Sequence, residues 1–255
     1  MINEHLQQIR EFEAEAVIPW LPSQGRLLEI GAGAGWQARK FAEVGMQVFA
    51  IELADSDYLA HTRFPTIRYD GQVIPFADAS FDVVYSSNVL EHVPHIQAFQ
   101  REIVRVLRPG GRMIHVLPTA AWRIATDVTH YISAARDMLS RARRLAGMSR
   151  TAMPHAGVPR NAVRRSRLRA LLPNRHGEVG NWVTETYYFS RMRWERLFSR
   201  AGLTIEACRP LRLFYTGYSV ADANLSLIAR QRLSRVFGSA CRLFVLRQNT
   251  APTLA

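Results

Sequence analysis

Apolar positions in the first half of the chain fall into short continuous runs separated by a helical rhythm. Leu27, Leu28 and Ile30 make one run, Met46 to Ile51 a second, Thr66 to Gly71 a third and Phe81 to Ser86 a fourth. Runs of this length suit strands of a parallel sheet that is covered on both faces. Between Val73 and Ser80 the chain carries Pro75, Asp78 and Ser80, which predicts a loop. Pro94 then opens a helix whose apolar face is Ile96, Phe99, Ile103, Val106 and Leu107, spaced three and four apart, and Pro109-Gly110-Gly111 ends it. Arg112 to Leu117 supplies a fifth strand. Strand alternating with helix predicts an α/β fold, a doubly wound parallel sheet that binds ligands at the carboxyl edge of its strands.

The ends of those runs carry the chemistry. After Glu29-Ile30 come Gly31, Gly33 and Gly35, where backbone with positive φ can approach a ligand closely. A dinucleotide fingerprint would need another glycine at position 36, and Trp36 stands there instead. Glu52, 21 positions after Gly31, falls where a second parallel strand delivers its last residue, and its carboxylate can accept both hydroxyl hydrogens of a ribose. An ordinary strand-helix turn and a solvated loop acid are the plainer alternatives for the two features.

Glu29-Ile30-Gly31-Ala32-Gly33-Ala34-Gly35, Glu52, Phe81-Asp82-Val83-Val84 with Asn88-Val89-Leu90-Glu91-His92, and Leu107-Arg108-Pro109-Gly110-Gly111 stand in one order along the chain. Together they resemble the successive motifs of class I S-adenosylmethionine-dependent methyltransferases, the Rossmann-like, type 11-like group, over roughly Val17 to Leu117. The resemblance implies seven strands. Helix-forming residues from Tyr188, with Trp194, Leu197 and Phe198 on one face, lead through Gly202 to a sixth, and Cys241 to Leu246 becomes an antiparallel seventh. It implies S-adenosylmethionine as cofactor, with Gly31, Ala32, Gly33 and Gly35 around its methionine moiety and Glu29 orienting that loop. Glu52 would hold the ribose, Leu53 lie on the adenine, Asp70 with Gly71 face its exocyclic amine, and Ser86 and Asn88 line the methionine side. Glu29 departs from the family's frequent Asp.

Charge divides the chain at Pro118. Up to that residue 10 basic and 14 acidic side chains give −4, Thr119 to Glu185 carries 12 and 4, and the remainder 11 and 3, for a total of +12. A basic second half attracts acidic acceptors, anionic membrane or nucleic acid; because every basic residue but Lys40 is arginine, genomic base composition is an equal explanation. Residues 119–185 exceed a plain connection and read as a substrate-recognition or lid insertion within a single methyltransferase domain spanning 1–255. Within it Val128, Tyr131, Ile132, Ala135, Met138, Leu139, Ala142 and Leu145 form a helical stripe flanked by Arg136, Arg141, Arg143 and Arg144, a basic amphipathic helix expected to cover the site, with an anionic membrane or a partner surface as the alternatives. Met153 to Gly180 reads as loop.

No run of 18 apolar residues is present, the acidic first turns lack the marks of a secretory signal, and Cys208 and Cys241 read as free thiols. The expected place is the cytoplasm, with the inner face of the membrane as an alternative. No Cys/His spacing predicts a zinc site and no Walker loop occurs. His92, at the rim where an acceptor arrives, is the candidate general base; its other reading is a turn-organising histidine. His155 and His176 are further candidates from the insertion. The expectation is methyl transfer to oxygen of a small-molecule, glycan or lipid-linked acceptor. An RNA methyltransferase, a non-catalytic binding scaffold and, last, an NAD oxidoreductase are the alternatives.

Overall fold

A computed structural model describes residues 4–147, 172–217 and 225–249. Seven strands, β1 (Arg26–Ile30), β2 (Gln47–Leu53), β3 (Thr66–Tyr69), β4 (Phe81–Ser87), β5 (Leu107–Pro118), β6 (Leu203–Pro210) and β7 (Cys241–Gln248), form one sheet in the order β3-β2-β1-β4-β5-β7-β6. The first five pair in parallel. β7 runs antiparallel to both β5 and β6, as the resemblance implied. The chain order reverses between β1 and β4, the switch point at which open α/β sheets leave a crevice for ligands.

Alternation along the strands builds a core on each face. Leu28, Ile30, Val84, Phe244 and Leu246 point to one side, where α3 (Ile96–Val106) packs through Phe99 and Ile103, and α6 (Arg191–Arg200) through Trp194 and Phe198. Leu27, Val83, Tyr85, Leu243 and Val245 point to the other, against Ala14 and Val17 of α1 (Glu4–Val17) and Phe41 of α2 (Trp36–Glu43). Two further helices, α5 (Glu185–Tyr188) and α7 (Leu227–Phe237), complete the described secondary structure together with α4 (Ala120–Gly147) and short 3-10 turns.

Two expectations meet corrections. Strand β5 begins at Leu107, before Pro109-Gly110-Gly111, because Leu107 already pairs with Phe81 and Arg108 is tied to Asp82 at 2.8 Å. Proline and two glycines are then absorbed in a register shift between Phe81 and Val83, one of the few places a strand tolerates proline. The second concerns α4. Its buried face runs through Trp122, Arg123, Thr126 and His130, whereas the stripe Val128, Tyr131, Ile132, Met138 and Leu139 is 46–62% exposed. Among the described residues its buried side chains are confined to the first turns, up to His130. Most of the expected loop from Met153 lies outside the described residues, as does His155. Among the described residues no helix is long and apolar enough to cross a membrane.

Candidate active site

The crevice between β1 and β4 is built by a loop that only glycine permits at its first position. Gly31 has φ +70°, and a Cβ there would stand 2.3 Å from Cγ2 of Val89. Gly35, at φ +78°, is the residue before α2, and a Cβ there would meet Phe64 at 2.6 Å. Backbone N–H groups of Gly31 and Ala32 donate to the Ile51 carbonyl at 2.9 and 3.1 Å, pinning the loop to the end of β2.

Glu52, at that end, folds over the loop. Its Oε2 accepts the Gly33 N–H at 2.6 Å and its Oε1 the Leu53 N–H at 3.1 Å, so sequence-distant candidates meet in one contact. Glu29 lies beneath, 2% exposed, with Oε2 buried and without a hydrogen-bond partner. Burial, with the neighbouring Glu52 charge, pushes its pKa well above the carboxylate range. Leu53 presents an exposed apolar side chain at the strand end, against which a Cβ on Gly71 would come within 2.8 Å. Asp70 closes the next turn: Oδ1 accepts from Gln72 and Val73 N–H at 2.8 and 2.9 Å, and these bonds hold its pKa below the usual value.

At the end of β4 the structure separates two neighbouring candidates. Ser86 is fully buried, with Oγ 2.8 Å from Nδ1 of His115, while Ser87 Oγ is the hydroxyl turned to the crevice side, between Arg10, Glu13 and Asn88. Alternation on a strand allows one of the pair, not both, to face one way. Burial lowers the His115 pKa to about 3. Asn88 adopts a left-handed φ of +53° and donates its N–H to Val116.

Sequence reasoning missed a polar network on this side. Arg10 Nη1 donates to Glu13 at 2.6 Å and Ser87 at 3.1 Å, Tyr215 OH donates to Glu13 at 2.9 Å, and Cys241 Sγ lies 3.0 Å from Tyr215 OH and 3.3 Å from Asn88 Oδ1. Only the Arg10/Glu13 spacing on one helix was a signal, and such pairs are common. Both cysteines are free, and burial pushes the Cys241 thiol well up.

His92 ends a short 3-10 turn, Leu90–His92, on the rim beyond β4. Its Nε2 is 3.9 Å from Oε1 of Glu91 and its ring packs edge-on against His176, centroids 4.7 Å apart. Burial lowers the pKa of His92, and lowers that of His176 to about 4, while it raises that of Glu91 to about 8. His176 is held there by its own backbone. The N–H groups of His176 and Gly177 both donate to Oε1 of Glu185 at 2.7 Å, Glu178 N–H donates to the Glu91 carbonyl, and Arg123 pairs with Glu185 at 3.0 Å. Arg123 also reaches Asp127 and the Asn174 carbonyl. A cleft opens beside Glu91 between Val93, Ile96, Tyr188 and Trp194, with Arg193 at its edge.

The methyltransferase domain family matches residues 28–115, from β1 to β5. An uncharacterized methyltransferase of Mycobacterium marinum is 32% identical over 189 residues, 65% of this chain and 73% of that protein. Another, from Mycobacterium sp. strain JLS, is 35% identical over 131 residues, 48% of this chain and 51% of its own. The chain spans about half the length of several curated relatives it matches. Among solved structures, an S-adenosylmethionine-dependent methyltransferase of Mesorhizobium loti aligns over 93% of this chain and 98% of its own, with TM-score 0.54 and 18% identity. A chain of the Haloferax volcanii complex between the Trm112 methyltransferase activator and its methyltransferase aligns over 96% and 91%, with TM-score 0.56 and 14% identity.

Proposed function

The chain belongs to the class I S-adenosylmethionine-dependent methyltransferases, and from that premise we propose that it methylates an oxygen on a small-molecule, glycan or lipid-linked acceptor that carries negative charge. The observation that carries the cofactor assignment is the Gly33 N–H to Glu52 contact at the sheet's switch point. Glycine backbone and a strand-end carboxylate able to accept ribose hydroxyls are there within one hydrogen bond of each other.

Local geometry suits the cofactor. A Cβ at Gly31 would collide with Val89, so the loop backbone there stays bare, and one Glu29 oxygen is buried without a partner. Gly31, Ala32, Gly33 and Gly35 would surround the methionine part, with Glu29 setting the loop and Asn88 at its far side, beside Ser87 in place of the buried Ser86. Glu52 would take the ribose hydroxyls. Leu53 would cover the adenine, and Asp70 and Gly71 would meet its amine. When bound, the cofactor supplies an electrophilic methyl group on a sulfonium. The protein's own contribution is then in-line positioning, exclusion of water and removal of a proton from the acceptor oxygen. His92, on the rim and 42% exposed at its side chain, is assigned that proton.

Residues 119–185 are assigned acceptor recognition. Support comes from their surplus of arginine and from the Glu178 N–H bond to the Glu91 carbonyl, which brings this segment to the rim. The exposed stripe of α4 alongside Arg136 and Arg143 favours an anionic lipid surface as the place where the acceptor is met.

Calorimetry with S-adenosylmethionine, its demethylated product and NAD tests the cofactor assignment. The first two should bind and NAD should not. Glu52→Ala should lose about 1.5–3 kcal/mol, roughly ten- to a hundredfold in affinity, as expected for hydrogen bonds to a charged group. Undiminished binding by that variant overturns the role of Glu52. Labelled cofactor incubated with lipid, glycan and RNA fractions identifies the acceptor class, and transfer to RNA alone would replace the lipid or glycan reading.

A further inference from the structure

Glu91, His92 and His176 offer one carboxylate oxygen and two imidazole nitrogens that all lie within 4.8 Å of one another. Oε1 of Glu91 is 3.9 Å from Nε2 of His92 and 4.0 Å from Nε2 of His176. Both distances exceed a hydrogen bond. Both Glu91 oxygens are also buried without a hydrogen-bond partner, on a side chain with no exposed surface. Buried carboxylates are costly unless they are paired, bonded or coordinated, and here the two groups that face this one stop short of it.

The gap has the dimensions of a metal ion. Imidazole nitrogen and carboxylate oxygen bind Zn²⁺ at about 2.0–2.2 Å, which places tetrahedral neighbours roughly 3.3–3.5 Å apart. The two nitrogens therefore need to approach Glu91 by about half an ångström, and each other by up to about 1.4 Å, to share an ion with it. We propose that Glu91, His92 and His176 bind a divalent first-row transition-metal ion through Oε1, Nε2 and Nε2, leaving an open coordination position toward the rim.

The third ligand is positioned in advance. His176 and Gly177 are fixed by two N–H bonds to Glu185, that carboxylate is paired with buried Arg123, and the Trp122 ring packs on His176 with centroids 4.6 Å apart. Outer contacts of this kind orient ligands and tune affinity. The imidazoles are 42% and 36% exposed, so an ion has a way in. Two histidines, one glutamate and an open position make the donor set of catalytic rather than structural zinc sites.

Ion binding itself does not depend on the acceptor assignment; its use does. Resting on the reading of this rim as the acceptor end, the ion would lower the pKa of the acceptor hydroxyl, so that its proton leaves to solvent instead of being taken by a free His92 imidazole.

Full-length protein stripped with a chelator and titrated with Zn²⁺ alone is expected to bind a single equivalent, and Co²⁺ to give the visible ligand-field bands of a low-coordinate site. His176→Ala, His92→Ala and Glu91→Gln should each weaken uptake roughly tenfold or more, and His95→Ala, outside the cluster, should not. Calorimetry of S-adenosylmethionine on the same samples reports the cofactor site separately, so a failed metal site and a failed methyltransferase reading are told apart. Should Glu91→Gln not fold, the histidine variants carry the test. No uptake, or uptake equally strong in His176→Ala and His92→Ala, overturns the proposal.

Discussion

Arg123 and Glu185 form an ion pair 3.0 Å long with side chains only 1% and 0% exposed, and the same carboxylate holds the backbone of His176 and Gly177. Removing one partner of a buried pair leaves an uncompensated charge, at a cost of about 3–5 kcal/mol. Arg123→Met should therefore loosen residues 174–178 first. Amide exchange in that stretch is expected to accelerate and acceptor turnover to fall, with S-adenosylmethionine affinity changing less than about twofold. Unchanged exchange would mean that the pair does not hold the segment.

Gly31→Ala combines a left-handed φ of +70° with a Cβ 2.3 Å from Val89. Overpacking and backbone strain together should cost about 2–4 kcal/mol in stability or cofactor affinity. The double variant Gly31→Ala/Val89→Ala removes the steric part and should recover some of the loss, leaving the strain. Full recovery in a thermal melt would show that φ at this position is not demanding.

His115 makes stability depend on acid. Its pKa falls from the ordinary 6.5 to about 3 on burial, so the unfolded chain binds a proton that the folded chain does not between those values. Stability from this residue is complete above pH 6.5 and declines as the pH drops toward 3. From pH 7 to pH 5 the loss should be about 2 kcal/mol, the unfolded state gaining the proton. Urea melts of the wild type should show that slope and His115→Phe a shallower one; equal slopes would contradict it.

The exposed stripe of α4 should place the protein on lipid. Co-sedimentation with vesicles rich in anionic lipid is expected, weakening with salt because attraction to the surface is screened over about 8–10 Å. Met138→Glu/Leu139→Glu should abolish it without changing S-adenosylmethionine affinity. Salt-dependent binding to RNA in place of vesicles would redirect the acceptor search.

Much of the crevice was readable because its demands are local. A glycine at φ +70°, an apolar run before it and an acid at the end of the next strand each leave a mark on a few adjacent residues. The sixth and seventh strands followed from the motif resemblance, since β7 pairs with partners far away along the chain. Three features left no such mark. Ser86 and Ser87 look alike in sequence, and only the strand's parity sends the first to His115. An apolar stripe on α4 says that a face exists, not that the domain covers it, and here the buried face is the polar one at Arg123 and His130. The approach of His176 to Glu91 depends on Glu185 gathering a turn through backbone groups, which side-chain patterns cannot encode.

The interposed position of β7 has a consequence during synthesis. β5 ends at Pro118 but its outer neighbour begins at Cys241, so at ordinary ribosomal rates its free edge waits on the order of ten seconds for a partner. An unpaired apolar edge is a template for the wrong strand. The nascent chain therefore passes through a window in which the cofactor-side strands can assemble while the sheet remains open, and a holding chaperone, or slow growth at low temperature, should raise the yield of native protein more than any change to the finished fold.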